Sequence, residues 1–218
     1  MLVMKNQFEM NVNISEILLN EKINEKILLI QNEINIYGQS KIISITSCEN
    51  SYGACYFSCL LGQKYSLKSE KTIILDCNLY HPILSQFFDY EENCVLNNIM
   101  EENIDFSKMI KTENDSLSVV FSKKNDFPTE IFKSSNFCQF IDYLKNIYDH
   151  IIIITPSLVE HKDLILFKNY LSASFLVSVK ELTLRKNVFE AVKFLENNHF
   201  PFIGTILIDY RKQKIKKK

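Results

Sequence analysis

Short apolar runs alternate with longer amphipathic segments along most of this chain of 218 residues. Six of the runs have the length of β-strands, and most are apolar throughout instead of alternating with polar residues. Continuous apolar runs are typical of strands that are covered on both faces. The predicted strands are 41–47, 71–77, 116–122, 150–155, 173–179 and 202–208.

Four longer segments show apolar residues at helical spacing, and they lie before or between these runs. The predicted helices are 15–34, 54–68, 129–148 and 184–198. Alternating strands and helices predict an α/β fold, with a single doubly wound and mostly parallel sheet flanked by helices. Since no repeat and no linker rich in Gly, Ser or Pro interrupts the pattern, we predict one domain over residues 1–210 and a basic C-terminal tail, 211–218.

Composition and charge narrow the class of protein. Hydrophobic residues make up 46% of the chain, which suits a globular domain. A formal net charge of −1 gives no reason to expect nucleic-acid binding. The longest aliphatic run, 151–154, is far shorter than the roughly 20 apolar residues of a membrane helix. The first residues lack the basic and apolar regions of a signal peptide, so we expect a cytoplasmic protein.

The cysteines and histidines are the candidate metal ligands. The six cysteines contain no CxxC pair, and the four histidines lie in different segments. Cys55 and Cys59 are four residues apart on a predicted helix, with Cys48 in the loop before it. Two interpretations are open, a metal or redox site and buried free thiols that act as small apolar side chains. We favour buried thiols and predict no metal site.

The stretch KIISITSCENSYGACYFSCLLG, residues 41–62, runs from a predicted strand through a short loop into a predicted helix. In parallel sheets, ligands bind beyond the carboxyl ends of the strands, where this loop lies. A strand–loop–helix connection of this kind binds phosphate through backbone N–H groups, a lysine and a hydroxyl. This loop has Gly53 but no lysine, so the frame of a phosphate site is present without its main cation.

The order of the segments resembles the bacterial tyrosine kinases of capsule and exopolysaccharide systems, in the MinD/ParA-like group of deviant P-loop ATPases. The stretch 41–62 is similar to the first strand and Walker A loop of these proteins. TIILDCNLYHPILSQFF (72–88) is similar to their second Walker motif, and YDHIIIITPS (148–157) to the Walker B strand. The segments 117–132, 177–196 and 203–210 follow in the same order. The resemblance implies a P-loop NTPase-like fold and, for an active kinase, ATP and Mg²⁺ as cofactors.

The departures from the family fall on the residues that would bind nucleotide. Where the Walker A pattern ends Gly-Lys-Ser/Thr, this chain has Gly53, Ala54 and Cys55, and Ser51 replaces an earlier glycine. The lysine would neutralise the β- and γ-phosphates and the hydroxyl would bind magnesium. Alanine does neither, and a thiol is a poor ligand for a hard cation.

The remaining motifs are altered in the same way. Asp76 stands in the second motif, but Asn78 replaces its second carboxylate, and Ile154 replaces the Walker B aspartate. The position of the adenine-contacting asparagine holds Ile208, or Asp209 if the alignment shifts by one residue.

These substitutions predict a degenerate nucleotide pocket with no catalytic residue and no bound cofactor. Its members are Gly53, Ala54, Cys55, Asp76 and Asn78. Asp76 has two interpretations, of which we favour the first: hydrogen bonds at the strand end or to the loop 47–53, or a contact with nucleotide. Tyr52, Tyr56 and Phe57 are expected to fill the space that nucleotide and lysine occupy in the family.

From the resemblance we expect a catalytically inactive tyrosine-kinase-like protein, a pseudo-ATPase with a regulatory or scaffolding role in capsule or exopolysaccharide biosynthesis and export. Its implied partner is the cytoplasmic end of a membrane polysaccharide chain-length (copolymerase) protein, or an active kinase relative. The alternatives are a diverged but active kinase or ATPase that binds ATP and Mg²⁺ through other residues, and a MinD/ParA-like positioning factor.

The tail 211–218 carries six positive charges. Its two interpretations are a contact with an anionic membrane surface and a solvated chain end. The first would place a cytoplasmic protein at the inner face of the cell membrane.

Overall fold

A computed structural model describes residues 21–36, 42–49 and 51–209 of the chain. The predicted tail 211–218 and the start of the predicted helix 15–34 lie outside these ranges. In the described part, the strands are β1 (Ile42–Ser47), β2 (Thr72–Asp76), β3 (Lys111–Asn114), β4 (Leu117–Val120), β5 (His150–Ile154), β6 (Ala173–Val179) and β7 (Phe202–Ile208).

The strands form a seven-stranded sheet in the order β3–β4–β2–β5–β1–β6–β7. All neighbours run parallel except β3, which is antiparallel to β4. The first strand lies inside the sheet and later strands are added on both sides of it, which is a doubly wound topology. The predicted α/β fold with a mostly parallel sheet is confirmed.

Helices cover both faces of this sheet. They are α1 (Glu21–Ile36), α2 (Ser51–Ser66), α3 (Pro128–Lys133), α4 (Ser135–Ile147) and α5 (Arg185–Asn197). The first two pack on one face, and the last three pack on the other. In the described residues no helix has both the length and the apolar character needed to cross a bilayer.

The isoleucines of β5 show why the strand runs are apolar throughout. Ile152 and Ile154 belong to the core beneath α1 and α2, whereas Ile151 and Ile153 belong to the core beneath α3 and α4. All four are fully buried. Burying such a side chain contributes roughly 1.5–3 kcal/mol, so a strand covered on both faces favours an apolar residue at every position.

Two elements differ from the sequence prediction. The predicted helix 129–148 is two helices, because Ser134 is extended and its hydroxyl accepts a hydrogen bond from the Phe137 N–H, capping α4. The edge strand β3 was not predicted, because Lys111 and Glu113 give it a polar sequence of only four residues.

Candidate functional site

The candidate site lies at the carboxyl edge of β1, β2 and β5, in the middle of the sheet. Asp76 is the last residue of β2 and is paired in register with Ile154, the last residue of β5. Because α2 starts shortly after β1, its first turns lie over the same edge, and Cys55 comes within electrostatic reach of the Asp76 carboxyl group. The structure therefore brings together, from three motifs, the positions at which this chain differs from the kinase family.

The first turns of α2 contain the residues that a phosphate loop would use. The predicted helix start at residue 54 is wrong, because α2 begins at Ser51 and already includes Gly53, Ala54 and Cys55. All three are buried, and Ala54 and Cys55 belong to the core between α2 and the sheet. In this chain the stretch forms the first turns of α2 and is buried against the sheet.

Gly53 serves close packing of α2 against the sheet. A Cβ atom at this position would lie 3.0 Å from Val179 Cγ2 and 3.1 Å from Val177 Cγ1. It would also lie 3.6 Å from Cδ1 of Ile208, at the position where the family places its adenine-contacting asparagine. Aliphatic side chains of β6 and β7 thus contact the helix directly.

Asn78 connects the loop after β2 to the start of α2. Its Nδ2 donates to Ser51 Oγ at 2.7 Å and to the His81 carbonyl at 3.0 Å, and its Oδ1 accepts from the His81 N–H at 3.3 Å. An ionised aspartate has no N–H and cannot donate to a carbonyl. The replacements of a loop glycine by Ser51 and of a carboxylate by Asn78 therefore complement each other, forming one hydrogen bond.

Asp76 organises the loop that follows its own strand. Its Oδ1 accepts from the Asn78 N–H at 3.1 Å, and its Oδ2 accepts from the N–H groups of Ile83 and Leu84, each at 3.0 Å. The carboxyl group caps the end of β2, as the first interpretation expected. In the described residues its side-chain hydrogen bonds are to the backbone of residues 78–84; a bond to the loop 47–53, which includes a residue outside the described ranges, stays a prediction.

Burial raises the pKa of Asp76 to about 6, and the three backbone hydrogen bonds offset only part of this effect. The side chain of Ile154, the neighbour in register, is a hydrocarbon and supplies neither charge nor hydrogen bond to Asp76. Burial at this site therefore disfavours the ionised form of Asp76.

Aromatic side chains occupy the space around α2. Tyr52, Tyr56 and Phe57 are buried in the core, as expected from their positions. The Tyr52 ring lies 5.2 Å from the ring of Phe87, a residue that the sequence analysis did not associate with the site. Since Phe87 follows the loop that Asp76 holds, this contact packs the end of that loop against the start of α2.

The cysteines near the site are buried thiols. Cys48, Cys55 and Cys59 are fully buried, and the pKa of Cys55 is raised well above its usual value by burial and by the adjacent Cys59 thiol. A raised pKa keeps a thiol protonated at neutral pH, and only the thiolate is a strong metal ligand. Across residues 21–36, 42–49 and 51–209, no group of three or more His, Cys, Asp or Glu side chains is arranged to hold a metal ion.

A second contact at this edge was not foreseen from the sequence. The rings of Tyr80 and His161 stack at 3.5 Å with an interplanar angle of 4°, joining the loop after β2 to the loop after β5. Burial and a hydrogen bond to Asp163 raise the pKa of Tyr80 to about 12. The two aromatic residues are far apart in sequence, and no periodicity or motif pairs them.

The residues at this edge do not fit a magnesium nucleotide. Ala54 has no charge to neutralise a phosphate, and Cys55 is a buried protonated thiol. Both oxygens of Asp76 already accept backbone hydrogen bonds, and the Asn78 side chain is bonded to Ser51 and His81. A metal-bound triphosphate at this position would displace existing hydrogen bonds without gaining a cationic partner.

Comparison of the sequence with known proteins gives partial matches to bacterial kinases. No protein-family model matches the chain. The tyrosine-protein kinase CpsD of Streptococcus agalactiae is 28% identical over 191 residues, which covers 86% of this chain and 82% of the relative. CapB of Staphylococcus aureus is 27% identical over 190 residues, which covers 85% of this chain and 83% of CapB.

Solved structures extend the comparison to the fold. The crystal structure of the chimerical protein CapA2B2 superimposes with a TM-score of 0.79 at 24% identity, covering 88% of each chain. The cell division ATPase MinD of Pyrococcus furiosus gives a TM-score of 0.62 at 18% identity, covering 80% of this chain and 74% of MinD. At these identities the structural likeness demonstrates the P-loop ATPase fold alone. The similarity to the tyrosine kinases rests on the sequence matches. The chain is similar in sequence to the bacterial tyrosine kinases, and it shares its fold with CapA2B2 and with MinD.

Proposed function

We propose that this chain is a catalytically inactive tyrosine-kinase-like protein that uses its fold as a binding surface. The observation that carries the proposal is the start of α2 at Ser51, held by the Asn78 side chain at 2.7 Å. A phosphate loop wraps around the anion just before and at the N-terminus of its helix. Here Ser51 already opens the helix and is hydrogen-bonded to Asn78, and Gly53 to Cys55 are buried against the sheet.

The expected loss of catalysis is large. Phosphoryl transfer on this fold depends on positioning and electrostatic stabilisation, and loss of one stabilising group costs on the order of 3 kcal/mol, or about a hundredfold in rate. Ala54, Cys55, Asn78 and Ile154 each replace such a group. Their effects do not simply add, since the groups act together. Even so, what remains is far below the rate of a working kinase.

The similarity to CpsD and CapB supports a place in a capsule or exopolysaccharide system. In the proposal the chain regulates or scaffolds polysaccharide biosynthesis and export. Its partner is the cytoplasmic end of a membrane chain-length protein, or an active kinase relative. The six charges of residues 211–218 would hold it at the anionic inner face of the membrane.

Titration calorimetry tests the nucleotide part of the proposal. The purified full-length chain is titrated with ATP and Mg²⁺, and S. agalactiae CpsD is titrated in parallel as the binding control. We expect heat of binding from CpsD and none from this chain at nucleotide concentrations of about 1 mM, near the weak limit of measurable affinity. Saturable, magnesium-dependent binding, or transfer of labelled phosphate to tyrosine, would instead favour the diverged active kinase.

A genetic experiment tests the cellular role. Deletion of the gene is expected to reduce surface polysaccharide, and complementation with wild type or with Cys55→Ala is expected to restore it equally. Cys55 stands at the magnesium-binding position of the family motif, so equal complementation shows that the cellular role does not depend on chemistry at that position. Unchanged polysaccharide with a defect in division or partition would support a MinD/ParA-like positioning factor instead.

A further inference from the structure

The strand β7 forms one edge of the sheet, and no strand in the described part of the chain pairs with its outer side. It is seven residues long, FIGTILI, with no charged residue and no proline. Proteins usually protect exposed edges with charges, prolines or short strands. The opposite edge strand, β3, has four residues and carries Lys111 and Glu113. The two edges of this sheet are therefore built differently.

The face of β7 on the α5 side is uncovered. The register places Thr205 opposite Leu176 and Leu207 opposite Ser178, on the face of β6 that packs against α5. Thr205 and Leu207 are both exposed, Leu207 at 64%, so the described part of the chain leaves these two side chains uncovered. An apolar side chain and an open strand edge thus lie side by side.

One flank of α5 borders this uncovered face. Ala191 and Leu195 point to the sheet, whereas Asn187 donates to Glu49, next to the end of β1. At 100° per residue, Phe189 lies on the flank of α5 away from Asn187, roughly 140° around the helix from the sheet-facing direction of Ala191 and Leu195. Its ring is 61% exposed, with the Lys193 ammonium 4.4 Å from the ring centroid. We call Phe189, Thr205 and Leu207 the β7 trough.

The charges beside the trough are arranged for self-association. Arg185 and Glu196 are exposed on the same flank of α5 as Phe189, separated by eleven residues, or about 16 Å along the helix. Because α5 runs antiparallel to β7, Arg185 lies near the carboxyl end of the strand and Glu196 near its amino end. A two-fold axis through Thr205, perpendicular to the sheet, would bring Arg185 of one copy beside Glu196 of the other. In a parallel arrangement, like charges would meet.

We propose that β7 pairs antiparallel with β7 of a second copy of this chain, joining two seven-stranded sheets into one. Backbone hydrogen bonds complete the open edges, and Phe189 and Leu207 of both copies fill the space between the two α5 helices. The contact is isologous, so each favourable pair occurs twice. This inference uses none of Gly53, Ala54, Cys55, Asp76 and Asn78, and it stands independently of the proposed function.

Sedimentation velocity on the full-length chain tests the dimer. We expect the mass to rise from 25.6 kDa toward twice that value with increasing concentration. A small edge interface corresponds to a dissociation constant of roughly 1–100 µM. Leu207→Lys places a charge on the edge and should weaken the dimer at least about tenfold. Leu67→Lys is the matched control, since Leu67 is 70% exposed near the opposite end of the fold, and it should dimerise like the wild type.

Charge exchange distinguishes a second copy from any other occupant. Arg185→Glu and Glu196→Arg should each weaken the dimer several-fold, since like charges then meet across the axis. The double variant restores opposite charges and should recover wild-type association. A chain that stays monomeric at about 100 µM, equal effects of Leu207→Lys and Leu67→Lys, or no recovery in the double variant would each overturn the proposal. Circular dichroism of every variant verifies that the fold is intact.

Discussion

Replacement of Asp76 by asparagine should change how the stability of the protein depends on pH. Burial raises the pKa of this carboxyl group from 3.8 to about 6, so it binds its proton more tightly in the folded state than in the unfolded state. Its contribution to stability is therefore complete below pH 3.8 and is lost as the pH rises through about 6. The asparagine side chain does not titrate, so the variant lacks this pH-dependent contribution to the free energy of unfolding.

The magnitude follows from the size of the pKa change. A difference of about two pKa units corresponds to about 3 kcal/mol at roughly 1.36 kcal/mol per unit, and between pH 4 and pH 7 about 2 kcal/mol of it is expressed. Asp76→Asn also loses the hydrogen bond to the Asn78 N–H, because an amide nitrogen would face that donor. This loss costs roughly 1–3 kcal/mol and does not depend on pH.

Urea denaturation followed by circular dichroism at pH 4, 5, 6 and 7 measures the effect. The free energy of unfolding of the wild type minus that of Asp76→Asn should fall by about 2 kcal/mol from pH 4 to pH 7. All other carboxylates are common to both proteins, so their titration cancels in the difference. A difference that is constant with pH, or that grows as the pH rises, would refute the buried and weakly acidic state of Asp76.

Three further substitutions test individual contacts by the same urea denaturation. Asn78→Asp removes the donor to the His81 carbonyl and should destabilise the fold by roughly 1–3 kcal/mol; stabilisation of this variant by Mg²⁺ would contradict the closed site. Gly53→Val should cost about 1–3 kcal/mol, since the added side chain meets β6 at 3.0 Å, and an unchanged midpoint would disprove the close packing. Ser134→Ala should cost about 1 kcal/mol through loss of the α4 cap, whereas the neighbouring exposed Ser135→Ala should be nearly neutral; equal effects would count against the cap.

Hydrophobic periodicity was enough to predict the architecture. A strand buried on both faces is apolar at every position, as in Ile151–Ile154, and a helix on a sheet repeats its apolar residues every three or four positions. These patterns involve only residues close together in the chain, so a single sequence is enough to detect them. The loss of chemical groups was also evident from residue identity, because alanine at position 54 cannot carry a charge in any conformation.

The arrangement of hydrogen bonds at the site was decided by tertiary structure. Asn78 and Ser51 lie 27 residues apart, and their contact exists only because β1 and β2 both end at the same edge of the sheet, with α2 above it. The backbone partners of Asp76 are local, 2 to 8 residues further along the chain, and they depend on how the loop after β2 folds back. Polar contacts between separate loops leave no periodic trace in a sequence, whereas burial of apolar surface does, so the fold was predictable and the closure of its pocket was not.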